Sequence, residues 1–234
     1  MGKKSLGNKL EKKNPDKKNL QGKNLDKKDQ QGQNQGRKTA AKGNREKEVW
    51  KPGNMLYPLP AIMVSCQRAE EKPNIITIAW AGTVCSSPAM LSISVRRERY
   101  SYAILKETGE FVVNLVTKDL AWAADYCGVK SGRDVDKFKV LGLTAQKMEH
   151  VRAPGIAESP VNLECRVKQV IPLGSHDMFI AEIVGVNVDK NSMDAHGKFH
   201  LSDTGLVAYS HGEYFTLGKK LGKFGYSVKA GGKK

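Results

Sequence analysis

Residues 74–115 read NIITIAWAGTVCSSPAMLSISVRRERYSYAILKETGEFVVNL, and the alternation inside this stretch decides the fold. AMLSISVR (89–96) sends Ala89, Leu91, Ile93 and Val95 to one side and Met90, Ser92, Ser94 and Arg96 to the other. That two-residue period belongs to a strand with one buried face. NIITIAW (74–80) reads as a buried strand with unequal faces: Ile75, Thr77 and Ala79 are light, while Ile76, Ile78 and Trp80 are heavy. A light face in a core leaves room for another backbone or for a flat ligand. GTVCSSP (82–88) reads as a turn-rich connector. Ser101 is a preferred helix N-cap, YAILKET propagates the helix, and Gly109 stops it with Lys106 in the last turn. FVVNLV (111–116) is a further buried strand.

Outward from this block the chain continues mainly as strand. LPAIMVSCQ (59–67) precedes it as a strand. KDLAWAADYC (118–127) reads as a second helix, capped by Thr117 and ended by Gly128, and SGRDVDKF (131–138) as a loop or a single helical turn. In 162–168, Leu163, Cys165 and Val167 point inward and Glu164, Arg166 and Lys168 outward. This segment pairs with MFIAEIVGVNV (178–188) through the connection 172–177. Several strands with two helices predict a mainly β (α+β) domain, a barrel or sandwich with helical insertions. The chain has no βαβ rhythm and no GxGxxG, which disfavours a classical dinucleotide fold.

The 234 residues are 39% hydrophobic and 27% charged, which suits one compact domain plus extra sequence. The net charge of +15 is uneven: residues 1–48 hold 15 Lys/Arg against 6 Asp/Glu, with no aromatic before Trp50. Such a segment buries too little apolar surface to offset its ordering entropy. We therefore expect a disordered tail over 1–48 and a folded domain over 49–230. The tail reads either as a solubilising extension or as an arm for nucleic acid or an anionic surface. The lack of aromatics among its lysines favours the extension. No apolar run is long enough for a membrane helix. No apolar segment follows the basic start, so no secretory signal is expected, and Leu6 stands where myristoylation needs Ser or Thr. Cys66, Cys85, Cys127 and Cys165 are far apart, with no CxxC and no zinc-ligand spacing. We expect no metal site, and reduced thiols in a cytoplasmic protein.

Chemistry concentrates between 92 and 101. Ser94 and Arg96 share a strand face, and Arg99 and Ser101 follow at the predicted helix start. A helix N-terminus beside arginines and hydroxyls suits an anion, best a phosphate. The alternative, in which Ser101 only caps the helix and both arginines are solvated, is equally compatible with the pattern. Lys137 adds a charge in a polar loop where Asp134 or Asp136 could pair with it, and His176 falls in a strand connection. The chain carries no GxSxG and no HExxH. Pattern and spacing alone therefore reach a β-rich domain with a candidate phosphate site.

The 74–115 block closely resembles the flavin reductase-like, FMN-binding split-barrel family, in particular its flavoredoxin branch. GVKSGRDVDKF (128–138), GSHDMFIAEI (174–183) and YFTLGKKLGKFGYS (214–227) follow in the order the family shows. The resemblance covers about residues 55–227; the basic tail has no counterpart in it. It implies a Greek-key split β-barrel, usually a homodimer, with FMN held non-covalently near the subunit interface. It places Asn74, Thr77, Ala79 and Trp80 around the flavin ring. Ser94, Arg96, Arg99, Ser101 and Lys137 would lie about the ribityl phosphate, with Ser101 where the branch often has Thr. His176 falls on the nicotinamide side and Tyr209 beside the ring. The implied activity is electron transfer from NAD(P)H through FMN to an acceptor that the sequence does not identify. One alternative is an FMN electron carrier reduced by a protein partner. Another is a basic-tailed protein that binds RNA or an anionic surface.

Overall fold

The structure, a computed structural model, describes residues 46–229. The stretch expected to be a disordered tail lies outside the described residues up to residue 45. The compact unit begins at Gly53.

In chain order this unit contains β1 (Leu59–Pro60), β2 (Ile62–Cys66), β3 (Asn74–Ile78), β4 (Ala81–Ser86), β5 (Ala89–Arg96), α1 (Tyr100–Thr108) and β6 (Glu110–Leu115). Then follow α2 (Ala121–Val129), α3 (Lys137–Leu141), β7 (Ala145–Gln146), β8 (Gly155–Ile156), β9 (Val161–Leu173) and β10 (His176–Val188). β11 (Val207–Ser210), β12 (Glu213–Thr216) and α4 (Tyr226–Lys229) complete it. One antiparallel sheet runs β3-β2-β6-β9-β10-β5-β4, and a smaller one runs β1-β11-β12.

The first and last strands of the large sheet, β3 and β4, are neighbours in sequence, separated only by Ala79 and Trp80. The sheet must therefore curl until its two ends meet at that dipeptide. No ladder joins β3 to β4 among the described residues. The result is a mainly β barrel, split at Ala79–Trp80, with helical insertions. Ser94 N donates to Trp80 O at 2.8 Å, so the split is held to β5.

The alternation read from the sequence fills this barrel. Leu91, Ile93 and Val95 of β5 pack with Ile76, Ile78, Val113, Cys165 and Phe179, and α1 adds Ile104 and Leu105. Burying aliphatic side chains at these positions contributes about 1.5–3 kcal/mol each. A second apolar layer lies on the other face of β2 and β3. There Met63 and Ile75 meet Leu120, Ala124, Cys127 and Phe138 from the α2–α3 region. At Thr77 the light face of NIITIAW is thus explained by a backbone. Thr77 Oγ1 donates to Ala124 O, and a Cβ at Gly128 would lie 3.4 Å from Thr77 Cβ.

Five local expectations are corrected. Residues 82–88 are not a connector: 81–86 form β4, an edge strand that hairpins onto β5 with an irregularity between Thr83 and Cys85. Short polar residues suit such an exposed edge, so composition hid it. Ser101 does not cap α1. Arg99 is the cap residue, without a side-chain cap bond, and buried Ser101 accepts from Asn74 Nδ2 at 2.7 Å. Gly128 does not end α2, which runs to Val129; it allows the helix to approach Thr77. Lys137 begins a short helix, α3, capped by Asp136 accepting from Lys139 N. Glu164 does not face solvent.

Buried Glu164 on β9 accepts from His150 N, from Val151 N at 3.1 Å and from Asn187 Nδ2 at 2.9 Å. A Cβ at Gly185 would come within 2.7 Å of its Oε1, so β10 needs glycine beside it. Burial pushes this carboxyl's pKa up, but the bonds from Asn187 and the loop amides outweigh it and hold the pKa below the usual value. The ionised group therefore stabilises the fold above the unfolded pKa of about 4.3, and that contribution is lost as the pH falls through the lower folded value. Glu164→Gln is expected to cost about 1–3 kcal/mol at neutral pH. The difference from wild type should narrow as the pH drops below about 4, read from urea denaturation across that range.

Candidate functional site

Beside the split in the barrel lies a cavity of about 430 Å³. Its floor is the end of β3 and the split itself, Ile76 to Trp80; β5 adds Ser94 and Arg96, the β9–β10 turn adds Ser175, and His176, expected in the connection, is the first residue of β10. Tyr209 and Tyr214 of the small sheet form another wall. The Trp80 and His176 rings are parallel within 3°, with centroids 6.3 Å apart. Register explains how they meet: His176 pairs with Arg96 across β10–β5, and Trp80 bonds to Ser94 on the other side of β5. His176 Nδ1 lies 2.9 Å from Ser175 Oγ.

A second cavity of about 290 Å³ adjoins the first, sharing Ile76, Arg99 and Gly128 with it. Its other walls include Asn74, Ser101, Lys137 and the 130–133 loop. α1 begins here without a side-chain cap, so its first-turn amides add positive potential. Gly132 closes tightly on this region: a Cβ there would lie 2.1 Å from Asn74 Oδ1 and 2.8 Å from Tyr100 Cδ1.

The three arginines of RRER have separate roles. Arg97 is held by Asp177 at 2.7 Å, and Tyr102 also donates to that carboxylate at 2.6 Å. Arg96 pairs on the surface with Glu98 at 3.1 Å. The Arg99 guanidinium makes one long hydrogen bond among the described residues, to Gly128 O at 3.5 Å, and Arg99 lines both cavities. Lys137 pairs with neither Asp134 nor Asp136. Its buried ammonium donates to Ile75 O at 2.6 Å and Cys127 O at 2.8 Å, and burial lowers its pKa. An ammonium has three donors, so one N–H beyond these two is available at a cavity that Lys137 lines.

Thr77, Ala79, Trp80, Ser94, Arg96, Arg99, His176 and Tyr209 line the first cavity, and Asn74, Arg99, Ser101 and Lys137 line the second. All eleven candidates from the sequence therefore fall on one continuous surface. Sequence reading missed Asp125 and Tyr214, whose carboxylate and hydroxyl are 3.4 Å apart at the first cavity, and Arg133 and Ser131 at the second. The 131–138 loop carried a weak signal for the latter pair; nothing local marks Asp125. Burial raises the Tyr214 pKa to about 12, with the Asp125 charge reinforcing it, so this hydroxyl stays protonated.

The sequence profile of the family described as "Flavin reductase like domain" matches residues 55–218. The chain belongs to this family. Flavoredoxin of Desulfovibrio vulgaris (Miyazaki F) superposes with a TM-score of 0.73 at 32% identity, covering 78% of this chain and 100% of that one. Flavoredoxin from Methanosarcina acetivorans gives 0.72 at 26% identity, covering 79% and 98%. An uncharacterized protein of Archaeoglobus fulgidus is 34% identical over 161 residues, 69% of this chain and 89% of its own.

Burial makes the thiols near the site poor nucleophiles. Burial raises the pKa of Cys66 to about 12 and of Cys127 to about 11, and Cys165 in the barrel core is likewise raised to about 12. Three of the four thiols should therefore be silent to a thiol reagent at mildly alkaline pH until the protein is unfolded. Fast reaction of more than one thiol in the native protein would contradict this.

Proposed function

We propose that this family member holds FMN non-covalently and passes electrons from NAD(P)H to a second acceptor. The observation that carries the reading is the pairing of the two adjoining cavities. One is lined by strand backbone and parallel rings, and the other by phosphate-type donors. The donor set fits the group. Arg99, the free N–H of Lys137 and the start of α1 suit a phosphate, and Ala79 and Ser94 leave the floor of the larger cavity low enough for a flat ring. FMN supplies the redox chemistry when bound.

The chain's residues bind, orient and shield. Arg96 and Arg99 set positive potential along the cavity, which favours the binding of an anionic group. His176, its Nδ1 engaged by Ser175, keeps Nε2 for a polar contact on the nicotinamide side. Tyr214 stays a donor through the working pH range. We take the assembly to be a homodimer with the ring end of the site near the interface, the folded domain being 49–230.

A second reading, a carrier reduced by a protein partner, is favoured by one feature. Trp122 and Val129 are exposed on α2, with half-buried Tyr126 between them and its ring stacked on Trp122 at 5.6 Å, and Val129 also lines the ring cavity. Such a surface suits protein docking beside the site.

Purified protein is expected to carry flavin or take it up, and a colourless preparation that ignores added FMN would overturn both readings. Arg99→Ala should weaken FMN binding roughly ten-fold or more, the equivalent of one charge-assisted hydrogen bond. Riboflavin, which lacks the phosphate, should be nearly unaffected. Anaerobic mixing with NADH or NADPH separates the two readings: fast bleaching supports the reductase, and no bleaching supports the carrier. His176→Ala should slow that bleaching while leaving FMN affinity in place.

A further inference from the structure

The net charge of this chain resides in its terminal segments. Residues 53–216 hold 17 Lys/Arg and 18 Asp/Glu, whereas 217–234 hold six lysines and no acid. The C-terminal segment is also apolar. Beyond β12, Leu217, Leu221, Phe224, Tyr226 and Val228 are all exposed, Leu221 at 89%. The segment has local order of its own: Gly225 takes φ +79° and α4 follows it. The Tyr226 ring lies so close over Gly222 that a Cβ there would be 2.6 Å from it.

The same chain presents an uncovered apolar groove of about 630 Å³ between residues 53–59 and the edge strand β4. Met55, Leu56, Trp80 and Val84 line it and are exposed, and no charged residue is among its lining. Strap and groove are complementary in chemistry, and the apolar side chains named in both are exposed.

We propose that two copies of this chain exchange C-terminal straps, Leu217–Val228 of each lying in the groove beside Trp80 of the other. The proposal deepens the homodimer reading above and rests on it. Each copy gives one strap and receives one, so the assembly closes at two and does not run on as a filament. The areas suffice. A stable interface takes roughly 800 Å² from each partner, and aromatic side chains bring about 150–250 Å² each. Phe224, Tyr226, three aliphatic strap residues and the four groove residues reach that scale. An anionic surface would satisfy the strap lysines but offers less cover for Leu217, Leu221 and Val228 than this uncharged groove does. Trp80, Asn54 and Ser94 line both the groove and the ring cavity, so the partner's strap also covers the outer side of the ring cavity.

The test uses full-length chains and sedimentation across a range of concentrations. Wild type is expected to dimerise. Leu221→Glu with Phe224→Glu, and separately Leu56→Glu with Val84→Glu, should each weaken dimerisation at least ten-fold; both pairs are exposed, and circular dichroism checks folding. Mixing the strap variant with the groove variant should restore dimers, because one intact strap then meets one intact groove. A monomeric wild type, variants that dimerise as wild type does, or no rescue on mixing would overturn the proposal. So would a strap variant that stays dimeric but loses binding to phosphatidylserine vesicles or RNA. Strap-dependent dimers that bind no flavin would sink the functional reading alone, and a flavin-bound monomer would sink the exchange alone.

Discussion

One continuous stretch, 74–86, has to serve both ends of a seven-stranded sheet. β3 ladders onto β2 and β4 onto β5, yet only Ala79 and Trp80 separate β3 from β4. No ladder joins β3 to β4 among the described residues, so the wall is open there. The dipeptide's own carbonyls are satisfied: Ala79 O accepts from Ala81 N and Trp80 O from Ser94 N. A concave break in a sheet is a place for a ligand. The cavity thus lies where the chain passes from one end of the sheet to the other.

Side chains then hold the break in shape. Lys137 ties Ile75 O of β3 to Cys127 O near the end of α2, and Thr77 bonds to Ala124 O one turn earlier. Both bonds act on the strand just before it breaks. A buried ammonium is costly unless it is hydrogen-bonded, and here its partners are two carbonyls. Among the described residues no carboxylate pairs with it, and Lys137 lines the adjoining cavity. The structural role and the candidate anion-binding role of Lys137 are one arrangement. On the far side of β2, Asn114 plays a purely structural counterpart. Its amide donates to Met63 O and accepts from Ile156 N and Asn162 Nδ2, which pins β8 and β9 to the sheet.

Local pattern made much of this legible. The period of 89–96 and the pairing of 162–168 with 178–188 follow from which residues can face a core, and the structure shows both. What remained hidden was set by partners distant in sequence. Glu164 fits an outward position by alternation, and only the loop at 149–151 and Asn187 make burial tolerable. Ser101 looked like a cap because caps are local, whereas its real partner, Asn74, is 27 residues away. Gly128 looked like a stop because glycine usually ends helices; its actual use, close approach to Thr77, depends on packing between helix and strand. Asp125 and Tyr214 are joined across 89 residues and have no signature at short range.

The light face of NIITIAW resolves by position along the strand. At Ile75 and Thr77 the neighbour is helix α2, and smallness serves packing. At Ala79 the helix has passed, and the same smallness opens onto the cavity. One face of one strand thus changes from structural to candidate ligand-facing within two residues. The change coincides with the point where β3 stops pairing. The nearly neutral 53–216 body makes the local charges near this point decisive: with 17 cations against 18 anions, the body supplies no long-range field to draw in an anion. Within the body, attraction at the site comes from Arg96, Arg99, Lys137 and the start of α1 acting over a few ångströms. Interactions of that range survive physiological salt because their separation is well below the screening length of about 8 Å.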